Sequence, residues 1–276
     1  MRKNDNIKKL KEMAGRVRKD IIEMLAQAGS GHPGGALSAS DIMVALYFSV
    51  MRHNPQNPQW KERDRFILSK GHSCPAMYAC LARAGYFPLQ ELKTLRKLGS
   101  RLQGHPSKSD GLPGIEVSTG SLGQGLSIAN GVALGLRLDK IDARVYCLMG
   151  DGEIEEGQIW EAAMAASHYH LDNLCGIVDN NGLQIDGKID EVMSPKPISE
   201  KWKAFGWKTI GINGHKMEEI LEAFAEAKKV KGKPTVIIAK TIKGKGVSFM
   251  ENVVEWHGKA PSKEQAKVAL KDLESS

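Results

Sequence analysis

The sequence predicts an α/β fold: a doubly wound, mostly parallel sheet flanked by helices. Three observations predict it. Short apolar runs of strand length recur, among them Phe66-Ile67-Leu68, Val145-Tyr146-Cys147-Leu148-Met149 and Leu174-Cys175-Gly176-Ile177-Val178. Segments with apolar residues at steps of three and four separate them, the spacing of an amphipathic helix. Glycine and polar residues follow directly on the strand-like runs, as in Gly71-His72, Gly150-Asp151-Gly152 and Asn180-Asn181. Alternation of this kind builds a parallel sheet covered on both faces.

The elements follow in order. Residues 7–28 carry Ile7, Leu10, Met13, Val17, Ile21 and Leu25 on one helical face. Gly29-Ser30-Gly31 stops that helix, and Pro33-Gly34-Gly35 predicts an irregular loop. A second helix runs from Ser38 to about Met51, and Asn54-Pro55-Gln56-Asn57-Pro58 breaks the chain. After the strand at 66–68 come helices over 75–84 and 88–98. Residues 99–120 hold five glycines and two prolines; so long a stretch without periodicity reads as a functional loop. A helix over 123–138 leads to the strand at 145–149, and a further helical pattern joins it to the strand at 174–178. A polar hairpin-like loop surrounds Asp186-Gly187. A strand over 208–212, a helix over 217–229 and a strand over 234–240 continue the alternation. Ser262 with Gln265 three residues on is a capping box opening a last helix.

The chain has 276 residues, 41% of them hydrophobic, enough for one large α/β core. No apolar run is long enough to span a bilayer. The start, Met1-Arg2-Lys3-Asn4-Asp5, lacks the apolar centre of a signal peptide, so a cytoplasmic location is expected. Cys74, Cys80, Cys147 and Cys175 form no Cys-x-x-Cys pair, and the last two fall inside core strands. That argues against a disulfide framework or zinc site. The net charge is +7. The lysines are scattered over helix faces, with one local cluster at 240–245, and no nucleic-acid motif is present. Such a surface suits anionic ligands.

Asp151 and Asn181 stand thirty residues apart, each just past a strand. Alone, each motif is an ordinary turn. Together they place a carboxylate and an amide oxygen at two neighbouring strand tips. Magnesium takes hard oxygen ligands and leaves positions for phosphate oxygens. Asn181 adds an oxygen without adding negative charge, and the Leu183 carbonyl is a third candidate ligand. Gly150 and Gly152 let the backbone approach a diphosphate closely. Of the eight histidines, His53, His168, His170 and His215 read as surface or core residues. His32, His72, His105 and His257 each sit beside glycine or in a glycine-rich loop, where substrate-handling residues concentrate.

The segment from Gly150-Asp151-Gly152-Glu153 through Val178-Asp179-Asn180-Asn181 resembles the thiamine diphosphate signature, in its transketolase form. Ser30-Gly31-His32-Pro33-Gly34-Gly35, Ser69-Lys70-Gly71-His72, Gly104-His105-Pro106, the loop from Ser118 to Gly125 and Trp256-His257-Gly258 resemble further transketolase motifs, in that family's order. The resemblance implies thiamine diphosphate with Mg2+, with Ca2+ or Mn2+ as chemically admissible substitutes. It implies that His32 and His105 contact substrate hydroxyls and the reacting oxygen, that His72 lies near the diphosphate, and that His257 reaches both. It makes Gly120, Ser121, Leu122 and Gly123 the loop beneath the cofactor's rings, with Leu122 pressing against them; many members carry proline where this chain has Ser121. Glu156 is implied to sit at a subunit contact near the cofactor.

The family's remaining parts have no counterpart here. The glutamate that bonds the aminopyrimidine and the arginines that grip the sugar phosphate belong there to a pyrimidine-binding domain. Residues 1–276 are expected to be one diphosphate-binding domain, with the pyrimidine-binding and C-terminal domains absent. Either a split transketolase or a truncated piece has that content; Met1 and the polar end at 273–276 favour a natural subunit. The expected partner is a transketolase C-terminal subunit carrying the pyrimidine-binding domain, in a heterotetramer with two of each chain. The reaction implied is transfer of a two-carbon ketol unit from a ketose phosphate to an aldose phosphate. A 1-deoxyxylulose-5-phosphate synthase and the alpha chain of a 2-oxoacid dehydrogenase share the metal motif, but Gly104-His105-Pro106 and Trp256-His257-Gly258 favour transketolase. A basic nucleotide- or nucleic-acid-binding module is the alternative without catalysis. It would not need four histidines in glycine-rich loops, so neither nucleic acid nor a membrane is expected as partner.

Overall fold

The computed structural model describes residues 3–274. Met1, Arg2, Ser275 and Ser276, which entered the reading of the two ends, lie outside the described residues. The strands are β1 (Arg65–Leu68), β2 (Val145–Gly150), β3 (Leu174–Asn180), β4 (Lys208–Asn213) and β5 (Thr235–Lys240). They form one sheet in the order β1-β2-β3-β5-β4, and every pairing is parallel.

Helices α1 (Lys3–Ala28), α2 (Pro33–Ser38) and α3 (Ser40–Ala45) precede β1. Next come α4 (Cys74–Ala84) and α5 (Gln124–Leu138) before β2, and α6 (Gly157–His168) between β2 and β3. Short α7 (Ile189–Val192) and α8 (Ile198–Ala204) lead to β4, α9 (Met217–Lys229) joins β4 to β5, and α10 (Lys263–Asp272) follows.

Because strand side chains alternate between faces, β1, β2, β3 and β5 each feed two cores, whereas the edge strand β4 packs Ile210 and Ile212 against one of them. Tyr146, Leu148, Cys175, Ile177 and Ile237 belong to one cluster with Ile21 and Leu25 of α1, Met43 of α3 and Phe224 of α9. Val145, Cys147, Met149, Leu174, Val178 and Val236 belong to the other, with Leu126 of α5, Ala163 of α6 and Trp202 of α8. Residues buried on both faces explain why the strands read as continuous apolar runs. Each fully buried aliphatic side chain contributes roughly 1.5–3 kcal/mol to this packing. All four cysteines are free and buried.

Three local expectations are corrected. Pro33-Gly34-Gly35 opens a helix, with Pro33 in the first turn where its missing N–H costs nothing. Its glycines mark close packing: a Cβ on Gly34 would lie 2.9 Å from the Trp256 carbonyl oxygen. The helix expected over 88–98 is only a 3-10 turn, Leu89–Thr94. Two short helices, α7 and α8, stand where none was expected. The capping box holds: Ser262 Oγ accepts from Gln265 N at 3.2 Å, and Ser262 N donates to Gln265 Oε1 at 2.9 Å.

Parallel strands deliver all their carboxyl ends to one edge of the sheet. The turns after β1, β2, β3 and β5 meet there, and loop 99–120 is brought to them by Tyr78 of α4. The Tyr78 hydroxyl donates toward the carbonyls of Gln103 at 3.0 Å and His105 at 3.1 Å.

Candidate active site

Asp151 and Asn181 are neighbours. Register pairs Gly150 with Asp179, and Asp151 Oδ2 accepts the Gly182 amide at 2.5 Å, across from β2 to the end of β3. Asp151 Oδ1 takes the Gly152 amide at 3.0 Å. Asn181 Oδ1 accepts from Leu183 N at 3.2 Å. The loop then returns as a tight hairpin, with Gln184 N donating to Gly187 O at 2.9 Å. Burial, then the nearby Asp179 carboxylate, pushes the Asp151 carboxyl up to about 6. A carboxylate so placed gains from a divalent cation.

Beneath it lies a buried ionic network that the sequence reading did not include. Asp179 is fully buried and accepts from Lys70 Nζ, from Thr241 Oγ1, from Ser38 Oγ at 2.6 Å and from Asn181 Nδ2 at 3.3 Å. Burial alone would raise its pKa; the Lys70 ammonium and these donors overcome that and hold it low. Glu153 is a second hub: it accepts from Ser69 Oγ and from the amides of Gly123 and Gly150, both at 3.0 Å. One carboxylate thus ties together the turns after β1 and β2 and the loop at 120–123. Lys243, 1% exposed, extends from beyond β5 and donates to Leu183 O at 3.0 Å and to His257 Nδ1 at 2.8 Å. Lys70 and Lys243 were legible only as lysines in a motif and in a basic cluster. A charged side chain expected at a buried strand tip was the available signal.

The four glycine-loop histidines converge. Ring centroids lie 5.4 Å apart for His32 and His72, 6.1 Å for His32 and His105, 5.7 Å for His32 and His257, and 5.1 Å for His72 and His257. The other four histidines stay outside this cluster. Burial, then Arg96, His105 and Lys243, lowers His32 to about 4. Burial, then Lys243 and His32, lowers His257 to about 3. His72 is also held low, by burial and Lys70, and His105 by burial and Arg96. All four are therefore neutral near pH 7, able to donate at one nitrogen and accept at the other.

The histidines, Asp151, Asn181 and Leu183 line one cleft of about 320 Å3. Gly120 and Leu122 reach its wall, as do Gly150, Gly152 and Glu156. Ser121 and Gly123 of the same loop do not: Ser121 Oγ accepts from Gln124 Nε2 at 3.2 Å, and Gly123 is bound to Glu153. Gly120 has φ +147°, and a Cβ there would lie 3.1 Å from the His105 ring. Glu156 caps α6.

These residues fit a diphosphate and a divalent ion. The Asp151 carboxylate, the Asn181 amide oxygen and the Leu183 carbonyl are hard donors, and the Leu183 carbonyl already takes a cation, the Lys243 ammonium. One carboxylate leaves coordination positions for phosphate oxygens. Buried polar atoms without a partner, His32 Nδ1, Ser73 Oγ and Thr119 Oγ1, gather at the same edge. Bare backbone is required too: a Cβ on Gly35 would lie 3.3 Å from Lys70 Nζ and 3.4 Å from His72 Nε2.

Fold and site together define an α/β domain that holds a cofactor's diphosphate at the carboxyl edge of a parallel sheet. The family described as transketolase, thiamine diphosphate binding domain, matches residues 9–273, and the chain belongs to the transketolase family. It is 45% identical over 265 residues to the 6-deoxy-6-sulfo-D-fructose transketolase subunit SqwG of Clostridium sp. (strain MSTE9), covering 96% of each chain. It is 45% identical over 256 residues to an apulose-4-phosphate transketolase subunit of Phocaeicola vulgatus, covering 93% of this chain and 90% of that one. Among solved structures, the transketolase from Leishmania mexicana superposes with a TM-score of 0.91 at 33% identity. The match covers 96% of this chain and 41% of the Leishmania one, so the chain spans about two-fifths of that transketolase.

Proposed function

We propose that this chain is the diphosphate-binding subunit of a transketolase. It moves a two-carbon ketol unit from a ketose phosphate to an aldose phosphate, and works with a second subunit that carries the pyrimidine-binding domain. The observation that carries the reading is the cluster of four neutral histidines standing over the Asp151 and Asn181 pair. Two relatives of about this chain's length are named as transketolase subunits, which supports a split enzyme; two copies of each chain is the proposed assembly.

Asp151, Asn181 and the Leu183 carbonyl would hold Mg2+. Lys70, Lys243 and His72 would face the diphosphate, with Gly150 and Gly152 bringing backbone against it. Leu122 and Gly120 would lie under the rings, and Glu156 at the subunit contact. Thiamine diphosphate, when bound, would supply the carbanion chemistry of the reaction. The chain's own contribution is proton handling: neutral His32, His105 and His257 hold the sugar's hydroxyls and accept or return their protons. A basic surface steers sugar phosphates to the cleft.

The test is production with the candidate partner subunit, followed by ketol transfer from xylulose 5-phosphate with and without thiamine diphosphate and Mg2+. Pyruvate is the competing donor, and it separates transketolase from the other enzymes that share the metal motif. Transfer from xylulose 5-phosphate that needs both additions supports the reading. Turnover of pyruvate alone would overturn it, as would salt-sensitive DNA binding with no uptake of the cofactor.

A further inference from the structure

Behind the histidine cluster runs a second hydrogen-bonded chain that none of the roles above uses. Arg18 of α1 grips Asp41 of α3 with both nitrogens of its fork, Nη2 to Oδ2 at 2.6 Å and Nη1 to Oδ1 at 3.2 Å. Asp41 Oδ2 lies 2.8 Å from His215 Nδ1, in the turn between β4 and α9. His215 Nε2 accepts the Ile242 amide at 2.8 Å. All three side chains are mostly or fully buried.

The geometry settles the tautomer. Nε2 accepts an N–H, so it bears no proton; Nδ1 bears it and donates to Asp41. The ring therefore has one orientation and one task. Its place along the chain shows what that task is. The Thr241 amide still bonds to the Asn180 carbonyl, at 3.1 Å, and extends the β3–β5 ladder by one rung. Ile242 has no strand partner. His215 takes over where the ladder stops, and the next residue is Lys243, whose ammonium reaches Leu183 O and His257. Lys243 follows directly on Ile242, so the backbone path that His215 fixes sets the point from which its side chain reaches these two partners.

We propose that His215, held by Asp41 and Arg18, is the positioning residue for Lys243, setting the exit of the 241–243 turn so that the ammonium meets the diphosphate-binding end of the cleft. The purpose assigned to Lys243 rests on the functional reading above; the coupling between His215 and the turn does not.

The experiment compares His215→Leu and His215→Gln in the full chain. Glutamine can present an acceptor to Ile242 and a donor to Asp41; leucine presents neither. The probes are calorimetric binding of inorganic pyrophosphate with Mg2+ and amide exchange over 241–246. The expected result is that leucine weakens pyrophosphate roughly tenfold, one lost polar contact's worth, and speeds exchange over 241–246 ahead of the sheet, while glutamine restores most of both. Binding within twofold of the parent in the leucine variant, or equal loss in both variants, overturns the proposal. If the parent chain takes up no pyrophosphate, the functional reading fails instead. Exchange then decides the positioning alone: faster exchange confined to 241–246 supports it, and unchanged exchange overturns it.

Discussion

The Asp151 carboxylate crosses from the tip of β2 to take the Gly182 amide beyond β3, 2.5 Å from its Oδ2. That contact holds an acid where the fold alone does not favour one. Burial and Asp179 raise its pKa to about 6, above the usual value of about 3.9. A carboxyl raised on folding weakens the fold once it ionises, so at pH 7 Asp151 costs on the order of 3 kcal/mol. Asp151→Asn keeps the volume and an acceptor for Gly182 while removing the charge. It should raise the Tm of the cofactor-free chain by roughly 2–4 °C per kcal/mol recovered. It should also abolish the stabilisation that thiamine diphosphate with Mg2+ confers. Thermal melts with and without both additions measure the two effects; an Asn variant still stabilised like the parent removes Asp151 from the metal site.

Lys70 and Asp179 form the ion pair beneath the cleft, with side chains 2% and 0% exposed. Removing one partner strands the other. Asp179→Ala leaves the Lys70 ammonium and the Thr241 hydroxyl without their acceptor, and should cost roughly 3–5 kcal/mol in urea unfolding. Adding Lys70→Met to it should recover part of that loss, since the unpaired charge goes too. A double variant weaker than Asp179→Ala by the full effect of Lys70→Met would show that the two residues act independently.

Gly120 and His105 touch across loop 99–120. A Cβ at 120 would press on the imidazole at 3.1 Å, and φ +147° disfavours any side chain there. Gly120→Ala should therefore displace His105 and lower ketol transfer by roughly tenfold to a hundredfold, the scale of an ångström-sized misplacement. On the proposed assignment pyrophosphate with Mg2+ meets the Asp151 end, so its affinity should change little. Equal losses in turnover and pyrophosphate binding would place the strain elsewhere.

Much of this was legible in the sequence, for physical reasons that also mark its limits. The strands at 145–149 and 174–178 could be read because burial on both faces leaves no polar residue inside them. His32, His72, His105 and His257 could be grouped because loops that must approach a ligand closely need glycine. Helix α2 could not: Gly34 is small because Lys243 and Trp256 crowd it, yet a proline followed by two glycines reads locally as a loop. The Lys70–Asp179 pair was hidden by distance, its members lying 109 residues apart. His215 looked ordinary because its importance lies in a backbone amide, which leaves no trace in the residue types. Ser121 and Gly123 read as cofactor contacts with Gly120 and Leu122, but the turn they make points them at Gln124 and Glu153.

The histidine cluster sets the acid limit of the fold. His32 is held to about 4 and His257 to about 3, whereas an unfolded histidine titrates near about 6.5. Well above pH 6.5 neither state is protonated and the two rings contribute almost nothing to pH dependence. As the pH falls through 6.5 the unfolded chain binds protons that the folded chain refuses, so stability declines until the folded rings titrate in turn. Solvent reaches part of both rings and screens the effect, so the loss is smaller than the full shifts imply. Urea unfolding of the cofactor-free chain at pH 7.5, 6 and 5 should show stability dropping across that series. His32→Asn and His257→Asn remove the titrating group and keep a polar side chain, so each should flatten the slope between pH 6 and 5. A slope unchanged in both variants would mean that the rings protonate at their ordinary pKa, and that burial, with Arg96 and Lys243 nearby, does not keep the cluster neutral.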